Sequence, residues 1–146
     1  MIPFVYHDGG RILSGFIGHT RDCVVRSISI VSEKPYIEVY NEIKALIKVH
    51  ERKGIKKRSS VRKGVYTRKA WFQEYMRKLG FDWVPTMQIG SGCKMHLHKD
   101  EVPEGKIIAV VSRHYVAIVD KVMYDTSDCS RRGTRCIYGY WKRKQG

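Results

Sequence analysis

Cys23, His114 and Asp125 are the residues whose types and order could support nucleophilic acyl chemistry in this chain. Cys23 closes the stretch Gly18-His19-Thr20-Arg21-Asp22-Cys23 and leads directly into the apolar run from Val24 to Val31. Asp22 suits a helix N-cap, and Val24, Ile28 and Val31 then fall on one helical face. Cys23 is therefore expected in the first turn of a helix. The unpaired N–H groups and partial positive charge of a helix N-terminus favour a thiolate, and the same N–H groups can hold an oxyanion. A thiol on an apolar helix is ordinarily a packing residue, so Cys23 needs a base before it reads as a nucleophile.

The C-terminal half offers that base. Lys106 to Val119 is a β-rich run, Asp120-Lys121 reads as a turn, and Val122 to Thr126 reads as the returning strand. If Val119 pairs with Val122, Val116 lies opposite Asp125 and His114 opposite Ser127. Side chains alternate faces along a strand, so His114 and Asp125 become diagonal neighbours on one face, roughly 7–8 Å apart at Cα. A carboxylate on one imidazole nitrogen fixes the tautomer and leaves the other nitrogen for Cys23. A register slip of one residue would destroy this arrangement.

A Cys opening a helix, followed by a His on one strand and an Asp on the next, resembles the papain-like cysteine peptidase superfamily. The fragments Asp22-Cys23-Val24-Val25-Arg26, Lys34-Pro35-Tyr36, Trp83-Val84-Pro85-Thr86-Met87 and Gly90-Ser91-Gly92-Cys93 are similar to its small phage-encoded branch. The resemblance implies Cys23 as nucleophile, His114 as general base and acid, and Asp125 as the residue orienting the histidine. It further implies an amide or peptide substrate, no metal or organic cofactor, and a place in the host cytoplasm or packaged in the virion. Members usually carry a Gln upstream of the cysteine as an oxyanion donor, whereas residues 1–22 contain neither Gln nor Asn. Thr20, the imidazole of His19 or a backbone N–H of the Gly18–Arg21 loop would take that part.

The chain has 146 residues, enough for a single domain spanning 1–146 with a hydrophobic core. No run of eighteen or more apolar residues suggests a membrane span, and the first ten residues lack a signal-peptide pattern. The net charge of +14 predicts salt-sensitive attraction to polyanions. Its main clusters are Arg52, Lys53, Lys56, Lys57, Arg58, Arg62, Lys63, Arg68 and Lys69, and at the C-terminus Arg131, Arg132, Arg135, Lys142, Arg143 and Lys144. Tyr66, Trp71, Tyr138, Tyr140 and Trp141 interleave with the charge, as on single-strand stacking surfaces. A rival to the hydrolase is thus a non-catalytic basic nucleic-acid-binding or virion-associated protein retaining a papain-like fold. Four cysteines are too few and scattered for a secreted disulfide scaffold. Cys129 and Cys136 could pair, but free thiols are expected. Cys93, His96 and His98 could suggest zinc, yet their alternation with Lys94 better suits the wet face of a strand.

These residues must be positioned by an α+β fold of compact papain-like layout, with N-terminal helices packed on a C-terminal antiparallel sheet. Residues 1–17 read as irregular or a short strand. A first helix runs from Cys23 to about Ser32. A second, with Pro35 in its first turn, runs to about Glu51 on the stripe Tyr36, Val39, Tyr40, Ile43 and Ile47. Gly54–Gly64 reads as a polar basic loop. A third helix spans Tyr66–Leu79, with Trp71, Phe72, Tyr75 and Leu79 inward and Gly80 as its stop. Strands are expected near Asp82–Val84, Gly92–Leu97, Ile107–Val111, Tyr115–Val119, Val122–Thr126 and Cys136–Trp141.

Overall fold

The computed structural model describes residues 2–13, 21–88 and 90–144. Three helices precede most of the sheet: α1 (Cys23–Ser32), α2 (Tyr36–His50) and α3 (Ala70–Lys78). The strands are β1 (Phe4–Tyr6), β2 (Phe81–Pro85), β3 (Lys106–Val111), β4 (His114–Val119), β5 (Val122–Asp125) and β6 (Gly139–Arg143). They form one six-stranded sheet in the order β1-β5-β4-β3-β6-β2. Only β1 runs parallel to its neighbour, β5; every other pairing is antiparallel. The fold is α+β, as the order of the sequence patterns indicates.

The hairpin that matters for the site closes as its turn residues allow. Asp120 and Lys121 both adopt left-handed backbone, with φ of 49° and 65°, the conformation whose twist suits a two-residue hairpin. The Asp120 N–H also donates to the Gly105 carbonyl, tying the turn to the start of β3. Val119 pairs with Val122, Ile118 with Met123 and Ala117 with Tyr124, the register expected from the alternation. A second tight turn at Ser112-Arg113 splits the long β-rich run, so Val111 pairs with His114.

The sheet separates two apolar layers. On one side, Val25, Ile28 and Val31 of α1 pack with α2, α3, Ile108, Ala117 and Trp141. On the other, Leu97, Val102 and Ile137 from the long connections cover Ile107, Val116, Ile118 and Met123. α1 lies against β4 and contacts α2. It is buried nearly all round, Arg26, Ser27 and Ser29 included, rather than on one stripe. Ser29 donates to the Gly9 carbonyl, and a Cβ on Gly9 would come within 3.0 Å of the Arg26 Cα. The N-terminal segment can lie this close only because residue 9, at φ 72°, is glycine.

Several expectations are corrected. Asp22 occupies the N-cap position of α1 without a side-chain capping bond; its carboxylate serves a buried network instead. α3 begins at Ala70, not Tyr66, because Lys69 is extended, with ψ of 143°, and Met76 joins its buried face. Gly92–Leu97 is not a strand: only His96 bridges to Cys136, and Cys93 forms a disulfide with Cys136. That bond replaces the free thiols expected there and the alternative Cys129–Cys136 pairing. It also removes Cys93 from any zinc set, while His96 faces Glu101 and His98 faces Asp100. The last strand is shifted to Gly139–Arg143; before it, the Ile137 N–H bonds Met95 in the connection ahead of β3 and the Tyr138 N–H bonds Val110 of β3.

Residues 52–69 form a loop organised from within. Glu51 is 3% exposed and accepts from the Ser59 N–H (2.6 Å), Lys69 Nζ (2.6 Å) and Trp71 Nε1 (2.9 Å). Burial alone would raise its pKa, but these donors hold it below the usual carboxylate value. One buried anion anchors both ends of a strongly basic segment.

Candidate active site

Cys23 is the first residue of α1, half-buried and not in a disulfide. The first intrahelical bond runs from the Arg26 N–H to the Asp22 carbonyl, and no side chain caps the turn. The N–H groups that an α-helix leaves without internal acceptors thus lie at and just after the thiol. Gly18, His19 and Thr20, considered as second oxyanion donors, lie outside the described residues. The Arg21 N–H is committed elsewhere, donating to the Arg62 carbonyl at 2.8 Å.

His114 opens β4 and Asp125 ends β5. Their diagonal placement brings His114 Nε2 to 2.6 Å from Asp125 Oδ2. Asp125 is 3% exposed and also accepts from the Thr126 N–H (2.7 Å) and from Arg26 Nη2 (3.4 Å). Burial acts against its charge, but His114 first, then Thr126 and Arg26, hold its pKa below the ordinary value. For His114, burial pulls the other way and is outweighed by the Asp125 hydrogen bond and by contacts with the Cys129 and Cys23 thiols. Its pKa is pushed up to about 11. At neutral pH the imidazole therefore holds both protons.

Behind Cys23 and Asp125 lies an electrostatic support. Arg26 contacts Asp22 one helical turn earlier as well as Asp125 across the sheet. Asp22, 1% exposed, accepts from Tyr36 Oη at 2.5 Å and lies 3.5 Å from Arg11 Nε. The carboxylate beside Cys23 is therefore neutralised by cations rather than by the helix end.

Cys129 is the residue that sequence reasoning missed. The sequence marks it only as a possible disulfide partner, yet it is a free thiol whose sulfur lies within 4.8 Å of the His114 imidazole nitrogen and the Asp125 carboxylate. Arg135 holds it there by donating to the carbonyls of Cys129 (3.3 Å) and Ser112 (2.6 Å). No motif marks this, because the segment returns to β4 only through the turn after β5. His114, Asp125 and Cys129 place potential ligand atoms within 4.8 Å of one another, a donor set of the kind zinc accepts. The Nε2···Oδ2 separation of 2.6 Å is nevertheless that of a hydrogen bond. Two ligands on one tetrahedral zinc would stand about 3.3 Å apart. As arranged, the pair shares a proton.

Cys23 and His114 line a cleft of about 790 Å³ together with Val110, Tyr115, Tyr138 and the loop from Lys63 to Arg68. Part of the basic segment thus forms a wall of the cleft. No protein-family model matches the chain, and no curated protein or solved structure matches it either.

Proposed function

We propose that the protein is a cysteine-dependent amide or peptide hydrolase of compact papain-like type, with Cys23, His114 and Asp125 as its triad. The observation that carries this reading is the junction of three elements at one imidazole. The thiol at the start of α1 lines one cleft with His114 at the start of β4, whose Nε2 lies 2.6 Å from the carboxylate at the end of β5. The Cys23 sulfur attacks the acyl carbon, forming an S–C bond while the carbonyl electrons move onto oxygen. The N–H groups of the first turn of α1 stabilise that oxyanion. His114 gives its proton to the leaving nitrogen as the C–N bond breaks, leaving a thioester. It then takes a proton from water, whose oxygen attacks the same carbon and releases the sulfur. Asp125 keeps the ring oriented throughout.

A thiol-directed, acyl-mimicking probe tests this. Mass spectrometry of the digested adduct is expected to place it on Cys23. Cys23→Ala is expected to abolish hydrolysis while unfolding as wild type does, the thiol being only half-buried. Full turnover by Cys23→Ala, or a probe adduct confined to Cys129, would sink the reading.

A second reading has its own support. Lys44, Lys48, Lys53, Arg58 and Arg62 gather around a separate groove of about 550 Å³ between α2 and the basic loop, with no acid among its described lining residues. Such a groove suits a polyanion such as nucleic acid, whether or not the triad is active.

A further inference from the structure

We propose that the cleft beside Cys23 selects acidic peptides, holding Asp or Glu side chains that flank the reacting carbonyl. The proposal rests on the hydrolase reading and names its substrate class. Arg21, Lys63, Arg68 and Arg113 all line the cleft and are all exposed. No Asp or Glu joins them among its described lining residues. None of the four forms an ion pair with another described residue. Elsewhere some exposed or half-buried cations are balanced: Lys34 with Glu42, Lys78 with Glu74, Lys106 with Glu33 and Lys144 with Asp82. Arg26, the remaining arginine of the lining, is spent on Asp22 and Asp125. Four cations without an ion pair thus line the cleft that also holds the thiol.

A concave wall of one sign focuses its field and raises the local concentration of an oppositely charged ligand. Guanidinium groups add geometric fit, since their paired N–H donors match a carboxylate. Tyr66 and Tyr138 are 43% and 40% exposed and line the same cleft. Their rings offer apolar area, and their hydroxyls can donate to backbone carbonyls of an extended chain. The wall would attract any polyanion. A peptide is favoured over nucleic acid because the cleft also presents a thiol and an imidazole, which act on an acyl carbon.

The test uses the full chain carrying Cys23→Ala, which holds a peptide without cutting it. Fluorescence anisotropy compares three end-labelled peptides of equal length, Glu-rich, uncharged and Lys-rich, with a single-stranded oligonucleotide as competitor. The Glu-rich peptide is expected to bind about tenfold more tightly than the uncharged one, with the advantage shrinking as salt rises. Adding Lys63→Glu and Arg68→Glu should turn the preference toward the Lys-rich peptide. Should that variant prove unfolded by circular dichroism, Arg68→Gln alone should still reduce the preference. Wild-type turnover of the same peptides is followed in parallel. Acid-selective binding with no cleavage of any peptide would support the charge reading and remove the hydrolase. Equal affinity, or equally fast cleavage of acidic and uncharged peptides, would overturn the substrate class and leave the hydrolase standing. Displacement of the Glu-rich peptide by a tighter-binding oligonucleotide would overturn it in favour of nucleic acid.

Discussion

Beside Asp125 and near the thiols of Cys23 and Cys129, His114 loses water but gains acceptors. The acceptors prevail. Its pKa rises from 6.5 to about 11, so the stability it contributes is fully present below about pH 6.5 and is lost as pH climbs through about 11. Asp125 is depressed, so its contribution is present above its ordinary 3.8 and is lost as pH falls through its lower folded value. Together the pair stabilises most fully between these two ordinary values and weakens toward alkali. Asp125→Asn removes the acceptor charge, so the His114 ring resonances are expected to titrate far closer to 6.5 in an NMR pH series. Turnover should fall about 100-fold rather than vanish, because the thiol and part of the base function remain. An unshifted His114 titration in that variant would show that Asp125 does not govern the imidazole. Arg26 bears on the same balance: removing it would leave Asp22 and Asp125 buried with less compensation, a change that costs about 3–5 kcal/mol when a buried pair is broken.

Among the elements, the loop from 52 to 69 depends most on one side chain. Its Ser59 and Lys69 bond the Glu51 carboxylate, with Trp71 of α3 beside them. Glu51→Gln keeps the shape but turns one acceptor oxygen into a donor facing other donors, at a cost of about 1–3 kcal/mol. Hydrogen exchange is expected to quicken at Ser59 and Tyr66, whose amides bond Glu51 and the Ser59 hydroxyl. Acid should mimic the substitution. The Glu51 pKa is depressed, so its contribution is present above 4.5 and fades as pH drops through the lower folded value. Because residues 63–68 line the cleft, peptide KM should rise more than kcat falls. Unchanged exchange at these amides would mean that the loop is held by something other than Glu51.

At the scale of the whole molecule, a net charge of +14 acts beyond any single pocket. Neutralising phosphates releases condensed counterions, so single-stranded nucleic acid should bind with an affinity that drops steeply as salt rises. Lys44 and Lys48 are exposed on α2 and line the groove distinct from the cleft. Gel shifts across a salt series should show weaker binding for Lys44→Glu with Lys48→Glu, with hydrolysis of a small uncharged peptide unaltered. A shift pattern identical to wild type would place any polyanion contact elsewhere on the surface.

Local patterns determined much of this protein by themselves. The run after Cys23 sets where α1 begins, the stripe from Tyr36 to Ile47 sets α2, and the two-residue turn at Asp120-Lys121 with strand alternation sets the parity of His114 and Asp125. Each depends on neighbours within a few residues, where helical and strand periods are legible. Only the tertiary structure decided the remainder. Arg26 and Asp125 are 99 residues apart in sequence, and Cys93 and Cys136 are separated by 43. The sequence pattern gives Asp22 a cap's position but cannot tell that burial beside Arg26 and Tyr36 will claim its carboxylate. Nor does it reveal that Cys129 comes close to the imidazole, or that Lys63 and Arg68 line the same cleft as the thiol. Those contacts are fixed by how the loops close over the sheet, since each needs a partner from another element and periodicity carries no record of it.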